Sequence, residues 1–190
     1  MHCRLERAKR MKDGHIVKKK GKDVYWDDLL GDKIHPEISG NIIKFKCAES
    51  TVVPSMLTSF AEILMISCDS IYNTVDQYIK QKNVEKTLFH QLIDKGKEAF
   101  SPVTVHTGVK VKLEKDEVLI LTPSRETSKR NGLNGVNAVI TPEYYNNKET
   151  DGEILIELFN IMPFNIKLDT GSIVAIGTIH KVVNLDQNII

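Results

Sequence analysis

Short segments of alternating apolar and polar residues, separated by turn residues, dominate the chain after Pro102 and constrain its fold most. The alternation predicts strands at 103–105, 109–113, 118–121, 136–140, 153–160, 164–168 and 173–183, with a tight turn at 114–116. Two apolar, β-branched runs at 41–47 and 61–67 predict two earlier strands. Many short strands joined by turns indicate a β-barrel or a jelly roll.

Residues 69–100 interrupt this pattern. Apolar residues recur there at intervals of four around one break, and Gly96 lies near the end. That period predicts a pair of short helices. The apolar stripe of this insertion needs a surface to cover, so we expect the insertion to pack over the β domain. A lid and a partner-binding projection are the alternatives.

Composition indicates a compact intracellular domain. The chain has 190 residues, of which 41% are hydrophobic, enough for one sizeable core. It has no apolar run of about 20 residues and no secretory h-region, so we expect neither membrane insertion nor secretion. Its three cysteines lack metal-ligand spacing, and Cys47 and Cys68 are expected core residues. The six histidines are scattered, so no metal site is expected.

Charge divides the chain into a basic N-terminal arm and an acidic remainder. Residues 1–23 hold nine Lys or Arg against three Asp or Glu, whereas the remainder holds 17 against 22. The candidate partner-binding residues in this segment are Arg4, Arg7, Lys9, Arg10, Lys18, Lys19, Lys20, Tyr25 and Trp26. The cations could bind nucleic acid or an acidic neighbouring subunit, or form a solvated, unstructured tail. Tyr25 and Trp26 could dock on a protein or make a local core contact.

Five stretches resemble the trimeric dUTPase family, most closely its phage-type members. They are VHTGVKVKLEKDEVLIL (105–121), KRNGL (129–133), AVITPEYYNN (138–147), GEILIELFNI (152–161) and IKLDTGSIVAIGTIHK (166–181). The resemblance runs from Thr107 to Lys181, with a weaker segment near 50–70. It implies a mainly β, dUTPase-like jelly roll or barrel and a homotrimer whose sites are shared between subunits.

The family's catalytic positions carry other residues here. The resemblance implies a water-activating carboxylate where this chain has Thr141, and a hydroxyl cannot act as a base near neutral pH. Glu143 is two residues further on, about 6 to 7 Å along an extended chain. The magnesium-linked carboxylate is replaced by Leu64, and the polar pair of the fourth motif by Ile173 and Ile176. Leucine offers magnesium no ligand.

Three residues are candidate remnants of a nucleotide site. Ser124 and Arg125 fall at the phosphate motif in swapped order, followed by Glu126, and Tyr144 falls where the family packs a tyrosine under the deoxyribose. Thirteen residues follow Gly177 and none is glycine, so we expect no Gly-rich closing arm. These losses together favour an inactivated site without a cofactor.

The resulting hypothesis is a non-catalytic homotrimer in a host cytoplasm or a virion, for example an auxiliary or decoration protein of a phage particle. Its expected partners are itself and other structural proteins of a larger assembly, with nucleic acid as a candidate partner of the arm. The expected organisation is an arm and docking segment at 1–40, a β domain at 41–183 and a tail at 184–190. A divergent dUTPase that uses Glu143 and magnesium, and a nucleotide-binding regulator without hydrolysis, remain alternatives.

Overall fold

The computed structural model describes residues 4–12, 15–59, 61–62, 64–65 and 101–182. The helices predicted at 69–100, the tail predicted at 184–190, Cys3 and Cys68 lie outside the described residues. Within the described ranges, no helix has the length and apolar character needed to cross a membrane.

Fifteen strands form the described architecture. They are β1 Arg4–Arg7, β2 Met11–Lys12, β3 His15–Ile16, β4 Lys18–Lys19, β5 Lys22–Asp23, β6 Glu37–Ser39, β7 Ile42–Lys46, β8 Thr51–Val53, β9 Val103–Lys112, β10 Glu117–Pro123, β11 Leu133–Gly135, β12 Ala138–Ile140, β13 Glu153–Asn160, β14 Ile166–Leu168 and β15 Ile173–Lys181. Two α-helices are described from end to end, Asp27–Leu30 and Arg125–Asn131. Two 3-10 helical turns span Gly31–Ile34 and Pro142–Tyr144.

Two main sheets carry the core. One has the strand order β1-β9-β13-β11 and the other β12-β10-β15-β7-β6, with antiparallel neighbours throughout. Alternate residues point inward, as in β10, where Leu119 and Leu121 are buried. They pack with Phe45 of the same sheet and with Val105 and Ile154 of the other. The predicted mainly β, jelly-roll-like fold is confirmed, with two separate sheets instead of a closed barrel among the described strands.

The strand predicted at 61–67 is wrong for the residues that the structure describes. Positions 56–59, 61–62 and 64–65 are helical. Ser55 explains the start of this helical stretch, because its hydroxyl accepts a hydrogen bond from the Thr58 amide at 3.1 Å, as an N-cap does. Ser55 is held in turn by the Met162 carbonyl, to which its hydroxyl donates. The capping serine therefore overrides the strand-like composition of the apolar run.

The described part of the predicted arm packs against the β domain. Strand β1 pairs with β9 from Arg4 opposite Lys112 to Arg7 opposite Val109. Strands β2 to β5 form two small hairpins, and β6 extends the five-stranded sheet by pairing with β7. The alternative of an unstructured tail is therefore wrong for residues 4–12 and 15–23 of the arm.

Candidate functional site

Ser124 lies at the end of β10 and caps the Arg125–Asn131 helix. Its hydroxyl accepts from the Glu126 amide at 3.2 Å, its amide donates to the Val174 carbonyl at 3.2 Å, and its side chain is buried. Thr127 in the first turn donates to the Ile173 carbonyl at 2.7 Å, which fastens the helix to β15. Arg125 is exposed beside this cap. The serine therefore has a structural role, and Arg125 is the group that a ligand could reach.

Thr141 and Glu143 lie at the opposite end of β10. Thr141 precedes the Pro142–Tyr144 turn and is exposed, and β12 before it pairs with β10 from Leu119 opposite Ile140. Hydrogen bonding from the Thr141 side chain lowers the pKa of the Glu143 carboxyl below its usual range. Glu143 is exposed, so its carboxylate is an ionised, solvated group and a weak base.

The phosphate and base positions are not brought together within one chain. Thr141 follows β12 and lies level with Val118, near the start of β10. Ser124 directly follows the other end of β10, six residues after Val118. At about 3.4 Å per residue, the separation is on the order of 20 Å. A site combining these positions would require two copies of the chain.

Tyr144 is already bound within the fold. Its hydroxyl donates to the Glu153 carbonyl at 2.9 Å and accepts from the Thr150 hydroxyl at 3.3 Å. The ring is partly buried and packs against the main core. The contacts of Tyr144 therefore stabilise the 142–152 loop.

The remaining vestigial positions provide no metal ligands. Leu64 lies in the helical stretch and is 49% exposed, and Ile173 and Ile176 belong to β15. Over the described parts of the chain, no three His, Cys, Asp or Glu side chains cluster as a metal site would require. The leucine and isoleucine side chains at these three positions offer magnesium no oxygen. Cys47 is buried as predicted, and burial raises the pKa of its thiol.

Ile176 belongs to an apolar outward surface on the five-stranded sheet. Strand register aligns Val139 with Ile120, Ile120 with Thr178, and Thr178 with Ile42, so these four side chains share one face. Ile176 is one step away, opposite Thr122 and Lys44. We call Val139, Ile120, Thr178, Ile42 and Ile176 the outer face. Val139 is 63% exposed and Ile42 is 39% exposed.

Several cations of the N-terminal segment are paired with carboxylates of the same chain. Arg7 contacts Asp28 at 3.3 Å and lies 4.1 Å from the centroid of the Tyr25 ring. Lys9 contacts Asp23 at 3.0 Å, and this hydrogen bond raises the pKa of the Lys9 ammonium.

Four other cations of this segment, Arg4, Lys18, Lys19 and Lys20, are exposed. Those four residues remain accessible candidates for a partner.

Trp26 makes a local core contact, so a partner-docking role for its side chain is wrong. The indole is 2% exposed and clusters with Ala8, Ile34 and Ala48. Its Nε1 donates to the Glu153 carboxylate at 3.2 Å. Burying the indole requires such a partner for its only polar atom.

Glu153 and His106 form a buried pair that sequence reasoning missed. Glu153 is 1% exposed and accepts from the Gly108 amide at 2.8 Å through Oε1, while its Oε2 lies 3.1 Å from His106 Nδ1. The hydrogen bond to Glu153 raises the pKa of the His106 imidazole above its usual range. No local signal reveals this pair, because the residues are 47 positions apart and meet through the β9–β13 pairing.

The chain is similar to known proteins in its structure. No family model matches the sequence, and no curated protein matches it. The dUTPase of Streptococcus mutans superposes with a TM-score of 0.56 at 19% identity, covering 84% of this chain and 94% of that chain. A variant dUTPase from phage phi11 of S. aureus superposes with a TM-score of 0.50 at 13% identity, covering 82% and 89%. The two-sheet architecture of this chain is therefore a dUTPase-like fold.

Proposed function

We propose that this chain is a non-catalytic, self-associating protein with a dUTPase-like fold, that its assembly is a homotrimer, and that its role is structural or interaction-based. An auxiliary or decoration protein of a phage virion is one such role, in keeping with the phage-type sequence resemblance. The observation that carries the proposal is the apolar outer face of the five-stranded sheet.

The outer face has the properties of a protein contact surface. Val139, Ile120, Thr178 and Ile42 lie side by side across four strands, and none of them is charged. Apolar side chains that lie side by side at a protein surface often mark an interaction site when the patch they form is large. Ile176 enlarges this face at a position where the family resemblance implies a polar catalytic residue. The same substitution thus removes a functional group and adds apolar contact area.

Loss of catalysis is supported by the chemistry of the expected base and metal positions. Thr141 lacks a carboxylate, and the pKa of the exposed Glu143 is lowered, which weakens it as a base. Leu64 offers magnesium no oxygen. Assembly of several copies could bring the two ends of β10 from different subunits together, but it would not restore these missing groups.

The exposed cations of the N-terminal segment would contact the other components of a larger assembly. Lys18, Lys19 and Lys20 lie in and beside the β4–β5 hairpin, and Arg4 lies at the start of β1. These four side chains could contact an acidic protein surface or nucleic-acid phosphates. Arg7 and Lys9, by contrast, are engaged by Asp28 and Asp23.

The test is the mass in solution, measured by light scattering during size exclusion, for the wild type and two matched variants. The wild type should have about three times the 21.5 kDa chain mass. Val139→Lys should shift the mass toward the monomer, because it introduces a charge into the outer face. Val52→Lys is the control, since Val52 is a similarly exposed strand valine (54% against 63%) on β8, away from that face. A monomeric wild type, or equal behaviour of the two variants, would contradict the proposal.

A nucleotide-binding regulator is the second candidate, favoured by the exposed Arg125 beside the Ser124 cap. Calorimetric titration with dUTP separates the two. Binding that is lost in Arg125→Gln without any turnover would support the regulator. The absence of binding would support the structural role alone.

A further inference from the structure

A cleft of about 390 Å3 opens between the N-terminal strands and β9. Its lining includes Arg10, Lys12, Val17, Trp26, Glu49 and His106. We call it the N-terminal cleft. Arg10 directly precedes β2, Lys12 ends β2 and His106 lies in β9, so two separate segments of the chain bring basic side chains to one cavity. Sequence position alone would not group His106 with Arg10 and Lys12.

His106 is held in a fixed orientation at this cleft. Its Nδ1 lies 3.1 Å from the Glu153 carboxylate, which is itself anchored by the Gly108 amide at 2.8 Å and the Trp26 indole at 3.2 Å. The imidazole side chain is 30% exposed and its ring centroid lies 5.1 Å from that of Trp26. Because Nδ1 faces Glu153, Nε2 is the ring nitrogen left for a ligand.

Arg10 is positioned in the cleft by contacts that an anion could supplement or displace. Its guanidinium lies 5.0 Å from the centroid of the Trp26 ring and 3.8 Å from the Glu49 carboxylate. The Arg10 and Glu49 side chains are 41% and 43% exposed, so this pair contributes little stability by itself. Guanidinium donors remain to bind a second set of oxygens.

We propose that the N-terminal cleft binds a small phosphate-bearing anion, with Arg10, Lys12 and His106 as its ligands. A phosphate carries several acceptor oxygens and about two negative charges, which match a guanidinium fork, an ammonium and an imidazolium converging from two segments. Inorganic phosphate and the phosphate of a small ester share this chemistry. Val17 supplies apolar wall for the organic part of an ester.

This site is separate from Ser124 and Arg125, the two residues at the phosphate motif. Ser124 and Arg125 follow β10 in the five-stranded sheet, whereas His106 lies in β9 of the four-stranded sheet. The two sites can therefore be tested independently through Arg125→Gln, which should leave phosphate binding in the cleft unchanged.

The binding should depend on pH through His106. The charged groups that act on its imidazole are Glu153 of β13, Glu49 after β7 and Arg10 after β1. Glu153 raises the pKa of His106, so the protonated ring persists above the usual range. Above that pKa, a neutral ring that donates from Nδ1 to Glu153 presents Nε2 as an acceptor, which repels phosphate oxygens. Binding should therefore weaken as pH rises through the pKa of His106.

The experiment is NMR of the full chain, following the His106 ring signals during titration with inorganic phosphate and, separately, with adenosine monophosphate. His106→Gln assigns the signal among the six histidines. We expect either probe to shift the His106 signal and to raise its titration midpoint, by reciprocity between proton and anion binding. Tighter binding of the ester identifies an organic phosphate, and equal affinity identifies free phosphate. An unmoved His106 signal with both probes would overturn the proposal.

Lys12→Gln is the decisive variant, because Lys12 is exposed and its loss should not disturb the fold. It should weaken binding about tenfold, as expected for one charge-assisted contact. Lys167→Gln is the matched control, since Lys167 is an exposed strand lysine in β14 outside the cleft. Equal affinities of these two variants would also overturn the assignment.

Discussion

Trp26→Phe tests whether the N-terminal segment is an integral part of the folded domain. The substitution keeps an aromatic ring at a position that is 2% exposed but removes the indole Nε1, which donates to the buried Glu153 carboxylate at 3.2 Å. A hydrogen bond to a charged group contributes about 1.5–3 kcal/mol. The smaller ring leaves a void that costs about another 1 kcal/mol. We therefore expect the free energy of unfolding to fall by about 2.5–4 kcal/mol.

Tyr25→Phe is the matched control at the adjacent position. Tyr25 is partly exposed and contacts Arg7 through its ring face, which phenylalanine retains. Its effect should stay within about 0.5 kcal/mol. Urea unfolding followed by circular dichroism measures both variants, since Trp26 is the only tryptophan and its fluorescence is lost in one of them. If Trp26→Phe costs no more than Tyr25→Phe, the reasoning that Trp26 anchors this segment through Glu153 is refuted.

Two further predictions concern the buried pair and the core. Because Glu153 raises the folded-state pKa of His106, the stability that this ionised pair contributes should be fully present below the unfolded pKa of about 6.5 and be lost as pH rises through the folded pKa. The difference in unfolding free energy between the wild type and His106→Gln should thus be larger at low pH, and a pH-independent difference would contradict this. Gly177→Ala should destabilise the domain by about 1–3 kcal/mol in thermal or urea unfolding, because its methyl would lie 2.7 Å from Leu119 and Phe45 side-chain atoms. A neutral effect would show that this part of the core is looser than described.

Strand periodicity was the most reliable sequence signal. The prediction at 153–160 matches β13, and the prediction at 173–183 begins with β15. In both strands the residues of one face are buried, so the two-residue hydrophobic period in the sequence predicts the strand correctly. The pairing of β15 with β7 shifts register between Ile173 and Ala175, and this shift sets Ile176 on the outer face. The hydrophobic period of the sequence does not predict the shift.

Capping residues in the sequence mark the ends of two helical segments. The Arg125–Asn131 helix is bracketed by a capping serine, Ser124, and by Gly132 with a φ of 65°, a left-handed conformation that favours glycine. Ser55 similarly precedes the helical stretch that was predicted as a strand. Local capping chemistry predicts both helices, since it outweighs the weak strand preference of short apolar runs.

Contacts between distant segments could not be read from the sequence. The Glu153–His106–Trp26 network joins three segments through the register of β9 and β13 and the fold of the N-terminal hairpins. Of the predicted nucleotide residues, Arg125 is exposed, Ser124 is a cap and Tyr144 is bound to Glu153. Whether Arg125 and Tyr144 contact a nucleotide stays a prediction.

Pyrophosphate release from dUTP in the presence of magnesium tests the central claim, a dUTPase-like fold without dUTPase chemistry. We expect no release above a protein-free control at any protein concentration, because the base position holds Thr141 and the metal position holds Leu64. Sustained release by the wild type that disappears in Glu143→Gln would contradict it and identify the chain as a working, divergent dUTPase.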